Sequence, residues 1–89
     1  MKYVIKSDGV PLLFNSKIIH SEAINKGVSA GFAIIDYDVI IDRFKVKCYG
    51  SSDSLQLSSR AGDCIIIQNY LNDLLCTLSF DSIIALQIF

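Results

Sequence analysis

Residues 47 to 63, "KCYGSSDSLQLSSRAGD", gather a cysteine, a tyrosine, five serines, an arginine and two aspartates into one polar stretch of an otherwise apolar chain. Ahead of a helix, such a stretch can cradle an anion. The chemistry needs unpaired backbone N–H groups, small side chains that allow close approach, and a cation. Ser58, Ser59, Arg60, Ala61 and Gly62 supply all three. A competing reading makes Ser59 the N-cap and Arg60 a surface cation. Asp63 favours that second reading, because a carboxylate in the first helical turn already occupies the positive end of the helix dipole.

Other residue types in the chain invite chemistry less strongly. His20-Ser21-Glu22 holds the three side chains of a nucleophilic triad, but working triads are assembled from distant segments rather than from neighbours. A thiol nucleophile would need His20 to reach Cys48 or Cys64. Neither "GSSDS" nor "SAGFA" has the glycine spacing of a phosphate or dinucleotide loop. The three cysteines form no CxxC pair, and one histidine cannot complete a zinc site with them. No metal or cofactor is expected. Packed, reduced thiols in a cytoplasmic protein are. Arg43, Lys45 and Lys47 form a basic strip that ends at Tyr49, an aromatic on which a base could stack. The plainer reading of that strip is the solvated face of an antiparallel sheet.

The whole chain bounds these readings. Its 89 residues make one domain, 1–89, and its net charge of −1 argues against general nucleic-acid binding. Apolar residues make up 52% of the chain, more than so small a domain can bury, so a homo-oligomer is expected. The apolar run "LLCTLSFDSIIALQIF" is broken by Asp81, and neither half approaches the roughly 18 residues of a membrane-spanning helix. No membrane partner and no N-terminal leader are expected.

The elements that must position these residues follow from periodicity. "KYVIKS", the Asp8-Gly9 turn signal and "VPLLFN" read as a hairpin whose second strand lies at an edge or starts at Pro11. Residues 16–27 fit either a short helix or an irregular crossing. In "VSAGFAIID", Ser29, Gly31 and Ala33 share one face, small enough for something to approach closely. "DYD" is read as a turn. From Arg43 onward Phe44, Val46 and Cys48 point one way and the basic strip the other, with a bulge or strand start near Asp42. Leu55 and Leu57 point inward. Cys64, Ile67, Leu71 and Leu74 fall at helical spacing, with Gln68, Asn69, Asn72 and Asp73 as a polar stripe opposite. The fold class is α+β: a small antiparallel sheet of five to six strands with one main C-terminal helix. Residues 76–89 read as an extra strand or an oligomerisation tail.

His20-Ser21-Glu22, Ser29-Ala30-Gly31-Phe32, and Tyr49-Gly50 through Ser58-Ser59-Arg60 together resemble small proteins encoded by bacteriophages and related mobile elements. The resemblance spans roughly residues 3 to 73. It departs after the arginine, where those proteins carry a proline and an acid and this chain has Ala61-Gly62-Asp63. It implies a sheet followed by one helix, and a protein acting in the cytoplasm of a bacterial host. The function expected on that basis is a non-enzymatic, anti-defence or inhibitor-like binding protein that blocks or sequesters a host protein or a small anionic ligand. Its contact surface would combine Ser58, Ser59, Arg60, Ser29, Gly31, Tyr49 and, if the segments converge, His20. The alternative is an assembly protein whose apolar tail adds a strand to a partner sheet. An enzyme is the least expected.

Overall fold

A computed structural model describes residues 1–77. The chain begins with a hairpin, β1 (Lys2–Ile5) and β2 (Pro11–Phe14). Its turn is set by Gly9, at φ +84°, whose N–H reaches the Lys6 carbonyl at 2.9 Å. The Asp8 carboxylate adds a bond from the Val10 N–H at 2.9 Å. β2 begins at Pro11 and forms one edge of the sheet, as the missing proline N–H requires.

A single helical turn, α1 (His20–Ala23), leads into the longest strand, β3 (Ser29–Asp38). β3 pairs with β1 through its first four residues and with β4 (Arg43–Tyr49) from Phe32 onward. The strand order is β2-β1-β3-β4, antiparallel throughout. "DYD" does not turn. Asp36, Tyr37 and Asp38 continue β3, opposite Lys45, Phe44 and Arg43. The reversal falls at residues 39–42 and ends at Asp42, whose φ of +54° gives the irregularity expected there. Two short strands, β5 (Ser51–Ser52) and β6 (Leu57–Ser58), make a separate ribbon before α2 (Asp63–Thr77). Four strands, a two-stranded ribbon and the helix give the expected α+β architecture. The segment 76–89, read as an extra strand or oligomerisation tail, begins inside α2, so residues 76 and 77 are helical and not a strand, and residues 78–89 lie outside the described ones.

Each face of the sheet carries its own cluster. Tyr3, Ile5, Ala33, Phe44 and Val46 pack beneath Ile67 and Leu71 of α2. On the other face Val4, Phe14 and Ala30 meet Ala23, Ile24, Leu55 and Leu57 from α1 and the serine-rich segment. That second cover does not reach the far half of the β3–β4 hairpin, where Ile34, Asp36, Lys45 and Lys47 are exposed. No helix among the described residues is long and apolar enough to cross a membrane.

The polar stripe of α2 differs from expectation. Gln68 and Asn72 are half-buried and do not face water. Gln68 Oε1 accepts from the Val46 N–H at 3.1 Å, and Asn72 bonds both backbone groups of Phe44. β4 is the sheet's other edge. The helix therefore covers the outward backbone groups that an edge strand leaves unpaired.

Candidate functional site

The start of α2 is organised around Asp63, which is fully buried. Its Oδ2 accepts from the Tyr3 hydroxyl at 2.7 Å and from the Arg60 backbone N–H at 2.9 Å. Its Oδ1 takes the Arg60 Nε–H at 3.1 Å. Burial alone would raise the pKa of this carboxyl. The bonds from Tyr3 and the Arg60 backbone, the facing Ser29 hydroxyl and the Arg60 side chain outweigh burial and hold it below the usual aspartate value. Ser29 acts here as a nearby dipole, because its buried Oγ meets no partner at hydrogen-bonding geometry. The same burial, followed by the bond to Asp63, drives the Tyr3 hydroxyl far above its ordinary pKa.

Asp63 thus stands where an anion would sit at this helix end. The cation of the sequence motif, Arg60, already bonds it. No side-chain bond from Ser59 to the helix is present among the described residues, and its backbone N–H goes to the Gly50 carbonyl at 3.0 Å. Asp63, the first residue of α2, instead turns its carboxylate back onto the Arg60 backbone N–H and closes the turn that leads into the helix.

The small face of β3 is filled from within the chain. A Cβ at Gly31 would stand 2.5 Å from the Tyr49 carbonyl oxygen and 3.3 Å from Ser59 Cβ. The strand is bare there because the β4–β5 connection and Ser59 lie against it. His20 is brought to the same glycine: its Nε2 lies 2.9 Å from the Gly31 carbonyl oxygen. That oxygen can only accept, so Nε2 carries the proton. The imidazole is buried and meets Phe14 and Phe32 edge-on, with centroids 5.4 and 5.8 Å away.

His20, Gly31, Tyr49 and Ser59 therefore do converge, and Ser29 joins them through Asp63. Ser29, Gly31 and His20 are enclosed by that convergence. Ser58 and Arg60 remain exposed, and so does Tyr49, whose ring stacks on Phe32 at 5.5 Å. The serine hydroxyls hold the loop's shape. Ser52 Oγ accepts from the Leu55 N–H at 3.2 Å, and Ser54 Oγ accepts from the Ser21 N–H at 3.2 Å, tying the "HSE" segment to the loop. Cys48 is no activated nucleophile. Burial, reinforced by the charges of Cys64 and Asp63, pushes its thiol up to about 11. Among the described residues no group of three His, Cys, Asp or Glu side chains could hold a metal ion.

The β3–β4 hairpin carries what the sequence reading did not locate. The basic strip has an acidic one beside it, since Asp38 pairs in register with Arg43 and Asp36 with Lys45. Lys45 Nζ also reaches Asp38 Oδ2 diagonally at 3.5 Å. Reading the period of two through "DYD" would have shown this. At the hairpin's end Val39, Ile40 and Ile41 are 77%, 91% and 54% exposed. The turn that presents them is held by Asp38 Oδ1, which accepts from the Ile40 and Ile41 N–H groups at 3.0 and 3.4 Å.

Comparison with known proteins finds no matching family model, no matching curated protein and no matching solved structure.

Proposed function

We propose that this chain is a non-enzymatic binding protein that blocks or sequesters a protein of the cell in which it is made, and that the tip of the β3–β4 hairpin is its contact point. The observation that carries this is the exposure of Val39, Ile40 and Ile41 on a turn fixed by Asp38. Three consecutive β-branched apolar residues in water are unfavourable in isolation, and a contiguous apolar projection marks an interaction site. An ordered turn also presents them at little entropic cost on binding. The partner that fits is a protein with a narrow apolar cleft. The resemblance to mobile-element proteins supports a bacterial host protein as that partner. It gives the small-anion reading less support here, because Arg60 and the start of α2 are engaged with Asp63.

The test is affinity capture from bacterial lysate with three baits: the wild-type chain, Ile40→Asp and Arg60→Ala. Native mass spectrometry of each purified bait reports any small molecule carried along. A protein captured by wild type and Arg60→Ala but lost with Ile40→Asp supports the hairpin. Equal capture by wild type and Ile40→Asp, or a bound anion lost with Arg60→Ala, overturns it. Ile40 is so exposed that its replacement is expected to change stability by no more than about 0.5 kcal/mol, which a thermal melt checks.

A further inference from the structure

The face of β3–β4 that no other described element covers carries two stripes of opposite charge, Asp36 and Asp38 on one strand and Arg43, Lys45 and Lys47 on the other. Beside them Ile34 is 51% exposed, opposite Lys47. We infer that this face is the interface of a symmetric homodimer, two copies packed face to face about a two-fold axis running along the strands.

The axis follows from the register. Rotation about a line parallel to the strands, midway between β3 and β4, exchanges left and right but keeps each residue's level along the strands. The register pairs Asp38 with Arg43, Asp36 with Lys45 and Ile34 with Lys47. In the dimer each β4 residue of one copy then faces the β3 residue of that level in the other. Arg43 meets Asp38, Lys45 meets Asp36, and the aliphatic stem of Lys47 lies over Ile34. The two acid–base contacts each occur twice by the symmetry, as a self-complementary interface requires. An axis across the strands would set acid on acid and base on base. Within one copy the exposed Lys45–Asp38 pair contributes little, being screened by water and salt. Covering the face removes water from the same charges while supplying each with a second partner.

This inference does not rest on the hairpin tip, and the two separate experimentally. The full-length chain is weighed in solution by sedimentation or by light scattering on a column. Wild type is expected at twice the chain mass, with the dimer weakening as salt is raised. Asp36→Lys makes the middle of the face basic on both strands and leaves Asp38, which holds the turn, in place. Arg43→Glu, Lys45→Glu and Lys47→Glu together make it wholly acidic. Each of these chains is expected to be a monomer, with dimerisation weakened at least about tenfold, and to keep its circular dichroism spectrum. Mixed, they are expected to form a one-to-one heterodimer, which misfolded chains would not do. Ile40→Asp should stay dimeric. A monomeric wild type, or a dimer indifferent to both charge reversals, overturns the inference.

Discussion

Asn72 of the helix bonds both backbone groups of Phe44 in the edge strand. Its Oδ1 accepts the N–H at 2.8 Å and its Nδ2 donates to the carbonyl at 3.3 Å. One turn earlier Gln68 does half as much for Val46. Phe44 and Val46 turn these groups away from β3, and four helical residues advance about as far as two strand residues. The two side chains therefore act as a short surrogate strand. They close an edge on which another chain could otherwise pair. Replacing Asn72 with leucine, similar in size but without the amide, is expected to cost about 1–3 kcal/mol. Denaturant unfolding measures that loss. Hydrogen exchange should show the Phe44 amide accelerated beyond what the global change explains, while the Lys45 amide follows the global change alone.

The buried carboxylate at the other end of α2 makes stability depend on acid. Asp63 keeps its charge in the folded chain below the usual aspartate pKa of about 3.9, which applies to the unfolded chain. Its contribution is complete above that value. It is lost as pH falls through the folded-state pKa, because the unfolded chain there binds a proton the folded one refuses. Asp38 is displaced in the same direction, chiefly by the Ile40 N–H. Asp63→Asn should destabilise the protein by about 1.5–3 kcal/mol at neutral pH. It should also flatten, without abolishing, the fall in melting temperature below about pH 4. A melting series from pH 7 to pH 2.5 on both proteins checks this. An unchanged acid slope in the variant would show that Asp63 does not govern it.

Much of this architecture was legible because local signals and burial agreed. Asp8-Gly9 set one hairpin, Pro11 marked an edge, and the spacing of Ile67 and Leu71 set the helix. Where a polar residue serves the backbone of a distant segment, the sequence was silent. Gln68 and Asn72 look like any solvent-facing amides until β4 lies beside them. Asp63 resembles an ordinary first-turn acid until Tyr3, 60 residues away, reaches it. "DYD" looked like a turn because aspartate favours turns. Strand pairing with Arg43 and Lys45 overrode that preference, which also hid the acidic stripe. The small residues at Ser29 and Gly31 correctly announced a close approach. Periodicity alone could not say that the approaching backbone is the chain's own.

That close approach can be tested at two glycines of opposite character. A methyl group at Gly31 would be driven into the Tyr49 carbonyl oxygen, with Ser59 Cβ and the Gly50 carbonyl oxygen close behind. Two of these three are backbone atoms of a strand junction, which cannot swing aside as a flexible side chain could. The His20 bond to the Gly31 carbonyl fixes the same peptide from its other side. Gly31→Ala is therefore expected to cost about 1–3 kcal/mol, the usual penalty for overfilling a packed site. Gly62 stands just before α2, where a Cβ would meet nothing within 4 Å, and its backbone φ is not positive. Gly62→Ala should be neutral or raise stability by up to about 1 kcal/mol, because alanine narrows the unfolded ensemble without meeting anything in the folded one. Thermal melts of both variants beside wild type decide the matter. Opposite signs are expected, and a Gly31→Ala chain as stable as wild type would mean that the β4–β5 connection does not rest on β3.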